Sequence, residues 1–163
     1  MLFMGEEWSA RQPFRFFCDF GGELGDAVRR GRREEFKDFP DEVPDPLSEQ
    51  TFLDSKLQWD DRAQPEHVSW LRWYQRLLAI RRAHIVPLTR EIFQAGEWRT
   101  LGDSAVYVCW DCARGRELHL SANLSAEPHE FPFDDGRVLW HEGDKPEGNH
   151  MTPWSVRWTV SEA

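Results

Sequence analysis

MLFMGEEW, residues 1–8, sets an apolar run at positions 1–4 against a glycine and two adjacent carboxylates. A run that short and apolar throughout reads as a strand covered on both faces, as in the parallel sheet of an α/β domain or barrel. The half-wet strand of an antiparallel sheet would alternate instead. Gly5, Glu6, Glu7 and Trp8 then form the loop that leaves the strand. Carboxylates at the carboxyl end of a barrel-type strand stand where such barrels build their active sites. The two acids cannot themselves be a hydrolytic pair. Chain neighbours in an extended backbone point in opposite directions, whereas glycoside hydrolysis needs carboxyl groups roughly 5 to 9 Å apart across the scissile bond.

Downstream the pattern is helical over 22–39, with Leu24, Val28 and Phe36 among the charges of RRGRREEF. Arg29, Arg30, Arg32 and Arg33 are followed at once by Glu34 and Glu35, which describes a solvated mixed-charge face. PDEVPDP, 40–46, is a proline-broken acidic loop, 49–59 reads as irregular and 60–64 as polar. The clearest helix is expected over 65–84. Pro65 suits its first position, Glu66 complements its positive end, and Arg81, Arg82 and His84 complement its negative end. Trp70, Leu71, Trp73, Tyr74, Leu77, Leu78 and Ile80 recur at helical spacing, a face suited to packing on a sheet, and Pro87 is expected to end the helix.

Beyond this point the period changes. SAVYVCW, ELHLSANLS, RVLWHE and WSVRWTV alternate like strands and are separated by ARGR, AEPHEF and DKPEGNH. This predicts an antiparallel module of about five to seven strands. The expected fold class is therefore an α/β piece, 1–88, followed by an all-β antiparallel sandwich, 89–163.

Composition narrows the function. A net charge of -9 disfavours nucleic acid and anionic membrane as partners. No apolar stretch approaches the roughly 20 residues that span a bilayer, and residues 1–8 lack the basic start of a signal peptide, so a cytoplasmic protein is expected. The three cysteines do not form a secreted disulfide framework. Cys109 and Cys112 match C-x-x-C, but positions i and i+3 of a strand lie on opposite faces and no second pair exists. With histidines scattered, neither a metal site nor a cofactor is expected. Nine tryptophans and eleven phenylalanines serve large cores, but aromatic faces also pack on sugar rings. Trp140, Trp154 and Trp158 could form such a platform, although filling the sandwich core is the simpler use.

The order LFMGEEW, PFRFFCDF, GRREEF and a tryptophan-rich helix closing in LLAIRRAHIVPL resembles the C-terminal part of the malto-oligosyltrehalose trehalohydrolases, within the α-amylase family of glycoside hydrolases. The resemblance implies that 1–4 is the eighth strand of a (β/α)8 barrel, that 65–84 is its last helix, and that a β-sandwich follows. It implies hydrolysis of the α-1,4 bond next to a terminal trehalose unit, with a maltooligosaccharide or maltooligosyltrehalose as substrate of the parent enzyme and no cofactor. The family's aspartate nucleophile, glutamate acid/base and second aspartate follow earlier strands, so no residue of this sequence is expected to be catalytic and the chain alone is expected to be inactive. Glu7 and Trp8, with Glu6, are expected to line the substrate cleft, joined by Phe14, Phe16 and Phe17 on the same loop. Without neighbouring strands the 1–4 strand should be disordered, re-packed or paired, and the missing barrel part, in cis or in trans, is the expected partner. A non-catalytic glucan-binding or interaction module is one alternative. Another is the C-terminal part of a different α-amylase-family enzyme, such as a branching enzyme.

Overall fold

The structure, a computed structural model, describes residues 1–38, 43–91, 95–132 and 135–161. The chain divides into two compact units, Met1–Tyr74 and Gln75–Ala163.

The first unit is helical and irregular. Residues 1–4 form no strand, and Leu2 and Phe3 are about half exposed. A parallel strand is stable only between hydrogen-bonded neighbours, and the strands among the described residues all belong to antiparallel ladders further on, so the expected strand has no partner among them. The chain instead turns at once. The Glu6 amide donates to the Phe3 carbonyl at 2.8 Å, and Glu6–Trp8 forms one 3-10 turn. Gly5 enters that turn at φ 83°, where a Cβ would lie 2.6 Å from the Ala10 side chain. Only glycine suits both requirements.

Helix α1, Gly22–Glu35, buries little besides Gly25, whose missing Cβ lets the backbone pass close to the Phe20 carbonyl and Leu47. Arg30, Arg33, Glu34 and Glu35 are exposed as expected from the sequence, Arg29 and Arg32 are half-buried, and the expected limit at Phe39 lies outside the described residues. Arg29 reaches across to Asp45 at 3.0 Å, and this hydrogen bond, with a second from the Leu47 amide, holds the Asp45 carboxyl below its ordinary range. Residues 49–59 are not irregular. Ser48 caps helix α2, Glu49–Ser55, by accepting the Gln50 amide at 3.2 Å, and a 3-10 turn follows at Trp59–Ala63. Helix α3, Pro65–Ile80, starts at the proline as expected and crosses the division between the units.

The second unit explains why α3 does not end where the sequence suggested. The helix runs into a π-helical turn, Arg81–Ile85, and then into a short helix α4, Val86–Thr89, with Pro87 in its first turn. Proline lacks an N–H and its ring crowds the carbonyl four residues back. A wider π turn just before it removes that conflict, so Pro87 restarts the helix instead of stopping it.

Strands β1 (Glu97–Leu101), β2 (Ala105–Asp111), β3 (Glu117–Asn123), β5 (Arg137–Glu142) and β7 (Ser155–Ser161) form one antiparallel sheet in the order β1-β2-β3-β7-β5. Two short strands, β4 (His129–Glu130) and β6 (His150–Met151), form a second sheet. The seven strands among the described residues match the upper end of the expected range. On one face of the large sheet Leu118, Leu139, Val160 and Cys112 pack against Leu88, with Ile80, Ile85, Trp110 and Trp158 around them. Each such buried aliphatic side chain contributes about 1.5–3 kcal/mol. On the other face Ala105, Phe131 and Met151 cluster with Leu101 and Tyr107 at one end. Asn123, fully buried, ties the two sheets by donating to the carbonyls of Glu127, Met151 and Thr152.

Candidate functional site

The residues expected to line a cleft are held from α3. The Trp70 indole donates to the Glu6 carbonyl at 2.9 Å, and His67, 3% exposed, places Nδ1 2.7 Å from the Trp8 carbonyl. A carbonyl only accepts, so the His67 proton sits on Nδ1. The Tyr74 hydroxyl donates to Glu6 Oε1 at 3.4 Å, and burial, followed by the Glu6 charge, keeps this phenol above its ordinary pKa. Backbone and side chain of Glu6 are thus both engaged.

Trp8 departs from the expectation. Its ring is 3% exposed, lies 5.1 Å from the ring of Trp59, and carries the Arg62 guanidinium at 5.7 Å. It is a packing residue here, because the 3-10 turn directs it inward rather than along a rim. The phenylalanines separate into two groups. Phe14 and Phe17 belong to a chain of ring contacts, Phe3–Phe14–Phe17–Phe52, spaced 5.1–6.1 Å. Phe16 faces α1 instead, under the Arg32 guanidinium at 4.9 Å. Beside the Phe17–Phe52 contact lies a cleft of about 570 Å³ lined by Met4, Phe17, Phe52, Lys56, Leu57 and Trp59. Aromatic rings with a cation beside them can hold the C–H face and a hydroxyl of a sugar. Met4, Leu57 and Trp59 carried no signal in the sequence, since their convergence depends on the turn at Gly5.

A second constellation lies on the large sheet of the other unit. The β2–β3 ladder sets Cys109 directly opposite His119, and Glu117 shares their face two residues before His119. The Cys109 sulfur, a Glu117 oxygen and a His119 nitrogen all lie within 4.8 Å of one another. Burial first, then the carboxylates of Glu117, Asp111 and Glu97, push the Cys109 thiol up to about 11. Cys112 lies in the apolar cluster on the opposite face, as the C-x-x-C spacing in a strand required. His119 was missed, although it is as far from the turn residue Arg114 on one side as Cys109 is on the other. That symmetry, with the alternation in SAVYVCW and ELHLS, was the available signal.

Comparison with known proteins places this architecture. Residues 94–158 match a family described as a domain of unknown function, DUF3459. Malto-oligosyltrehalose trehalohydrolase of Deinococcus radiodurans is 52% identical over 95 residues, 56% of this chain and 16% of that protein. The enzyme of the same name from Arthrobacter ramosus is 45% identical over 143 residues, 85% of this chain and 23% of that one. The chain is similar to part of each of these malto-oligosyltrehalose trehalohydrolases. The trehalohydrolase from Mycobacterium tuberculosis (strain CDC 1551 / Oshkosh) matches over 85% of this chain at 37% identity, with 24% of its own length covered. The chain thus spans at most about a quarter of these three curated relatives. A 1.4 Å crystal structure of a Salmonella typhimurium protein proposed to be an alpha amylase superposes on 98% of the chain and 27% of its own, with a TM-score of 0.89 and 34% identity. The trehalohydrolase relationship and this structural likeness fit a helical part followed by an antiparallel β unit. No helix among the described residues is long and apolar enough to cross a membrane.

Proposed function

We propose that these residues are the C-terminal part of a malto-oligosyltrehalose trehalohydrolase, and that the parent enzyme hydrolyses the α-1,4 bond joining a maltooligosaccharide to its terminal trehalose unit. The observation that carries this reading is the match to trehalohydrolases over 143 and 145 residues, a length that draws on both units. In such a reaction one carboxyl group protonates the departing glycosidic oxygen while a carboxylate takes the sugar carbon, and water completes the exchange. Glu6 and Glu7 are not arranged for it: they are neighbours on one tight turn, and Glu6 is engaged by Tyr74. On this reading the catalytic carboxylates belong to polypeptide outside these residues, as the family resemblance implies, and the partner of the Met1–Tyr74 unit is the rest of that barrel. Phe14, Phe16 and Phe17, near half exposed, are the aromatics offered to it or to substrate. Three unbonded cysteines suit a reducing, cytoplasmic setting.

The test is incubation with maltotriosyltrehalose. The chain alone should release no trehalose, and a protein extended through the upstream coding frame should release it. Release by the chain alone would overturn the assignment of catalysis to outside residues. An extended protein that leaves this substrate intact but acts on another α-glucan would overturn the trehalohydrolase reading. A second reading, a glucan-binding β module, draws on Trp98 and Trp154, 71% and 66% exposed. It predicts that maltooligosaccharides alter tryptophan fluorescence in the unextended chain.

A further inference from the structure

We infer that Cys109, Glu117 and His119 form a binding site for a thiophilic divalent cation, with Zn2+ the ion whose ligand preferences they match. A thiol, an imidazole and a carboxylate are the three donor types that zinc takes, whereas Mg2+ and Ca2+ favour oxygen throughout.

The geometry is that of a site built on rigid strands. Cys109 and His119 are cross-strand partners, Glu117 is on the same face as His119, and the His119 Nε2 to Glu117 Oε2 distance is 3.4 Å. Tetrahedral zinc with bonds near 2.1 Å holds its ligand atoms roughly 3.4 Å apart. The separations of up to 4.8 Å therefore close by side-chain rotation, without movement of the ladder.

The second observation is how His119 is held. Its ring is 5% exposed, and Nδ1 lies 2.8 Å from the Tyr107 hydroxyl. When a metal takes the Nε2 lone pair, Nδ1 carries the proton and donates it to the Tyr107 hydroxyl; Nε2 faces Glu117, Cys109 and Ser161, whose hydroxyl lies at 3.3 Å. A metal-binding histidine is held in this way, with its other nitrogen on an outer partner that fixes tautomer and orientation. Tyr107 is therefore a positioning residue. The remaining charge agrees: Glu97 is opposite Cys109 on β1, Asp111 is opposite Glu117, and either carboxylate or water can complete the coordination. On binding, Cys109 releases its thiol proton to the buffer and becomes a thiolate ligand.

The experiment titrates the reduced, chelator-treated chain with Co2+, which reports thiolate ligation by a near-ultraviolet charge-transfer band. The band should appear, yield to added Zn2+, and ignore added Mg2+. Cys109→Ser should abolish it, and Cys18→Ser should leave it intact. Glu117→Gln alters a side chain that is 47% exposed, so folding is kept; it should weaken the Kd at least tenfold, and Tyr107→Phe should weaken it about ten- to a hundredfold. No band in the unaltered chain overturns the proposal. So does a band that survives Cys109→Ser, or an affinity unmoved by Glu117→Gln in a variant whose circular dichroism is unchanged.

Discussion

The Asn123 side chain takes part in five hydrogen bonds within the second unit. It is 0% exposed; its amide nitrogen serves three carbonyls, and its oxygen accepts from the Ser125 amide at 3.1 Å and hydroxyl at 2.8 Å. Asn123→Asp exchanges that donor for a charge facing three acceptors. Burying an unsatisfied, charged group predicts a loss of roughly 3 kcal/mol or more, read as a lower urea midpoint with an unchanged slope. A loss below about 1 kcal/mol would mean that the loop carbonyls find other donors. In the sequence Asn123 was merely part of ANLS, because the carbonyls it meets lie up to 29 residues away. The tryptophans show the same limit. Trp140 is buried, and Trp158 stacks on Trp110 at 5.7 Å, whereas Trp154 is exposed at a positive φ of 53°. Composition grouped the three, but only packing separates them.

Among the elements, the π turn Arg81–Ile85 accommodates Pro87 in the helix after it. Removing one residue, by deleting Ala83, would restore α-helical spacing without turning Leu88 off its face, but would press the Pro87 ring against the carbonyl one turn before it. A proline inside a continuous α-helix costs about 3 kcal/mol or more, so the deletion should lower the melting temperature of the chain. An unshifted melt would show that the π turn is slack. Legibility followed length. β2, β3, β5 and β7 were readable from alternation over six or seven residues. The two-residue strands β4 and β6 offer no period to detect, and β1 presents an exposed, charged sequence. Helix α2 spans seven residues, too few for its face to register, and its signal was the Ser48 cap alone.

For the molecule as a whole, the unequal burial of the two units decides behaviour. In Met1–Tyr74, Trp8 is the only buried aromatic among the described residues, while Phe3, Phe14, Phe20, Phe52 and Trp59 are each more than 40% exposed. Contiguous apolar surface of this kind binds apolar dyes and promotes association. The isolated chain should therefore enhance anilinonaphthalene sulfonate fluorescence in its native state, and Phe14→Ser with Phe17→Ser should reduce the signal. A dye response as low as that of a well-packed monomer would remove this support for a missing partner. The change from helices to strands was legible from the change of period near residue 90; the expectation of a partner for the helical part came only from resemblance, because periodicity is blind to neighbours outside the sequence.

The strand order also dictates a sequence of events in time. β1, β2 and β3 form a meander of local contacts, but among the described residues β5 has no neighbour in its sheet except β7, which must insert between β3 and β5. During synthesis, which delivers the chain from its N-terminus, β5 is made before the strand that gives it a place. The ladder from Glu117 to Ser161 is thus the late, slow closure in folding, and the earlier hairpins must persist until it arrives.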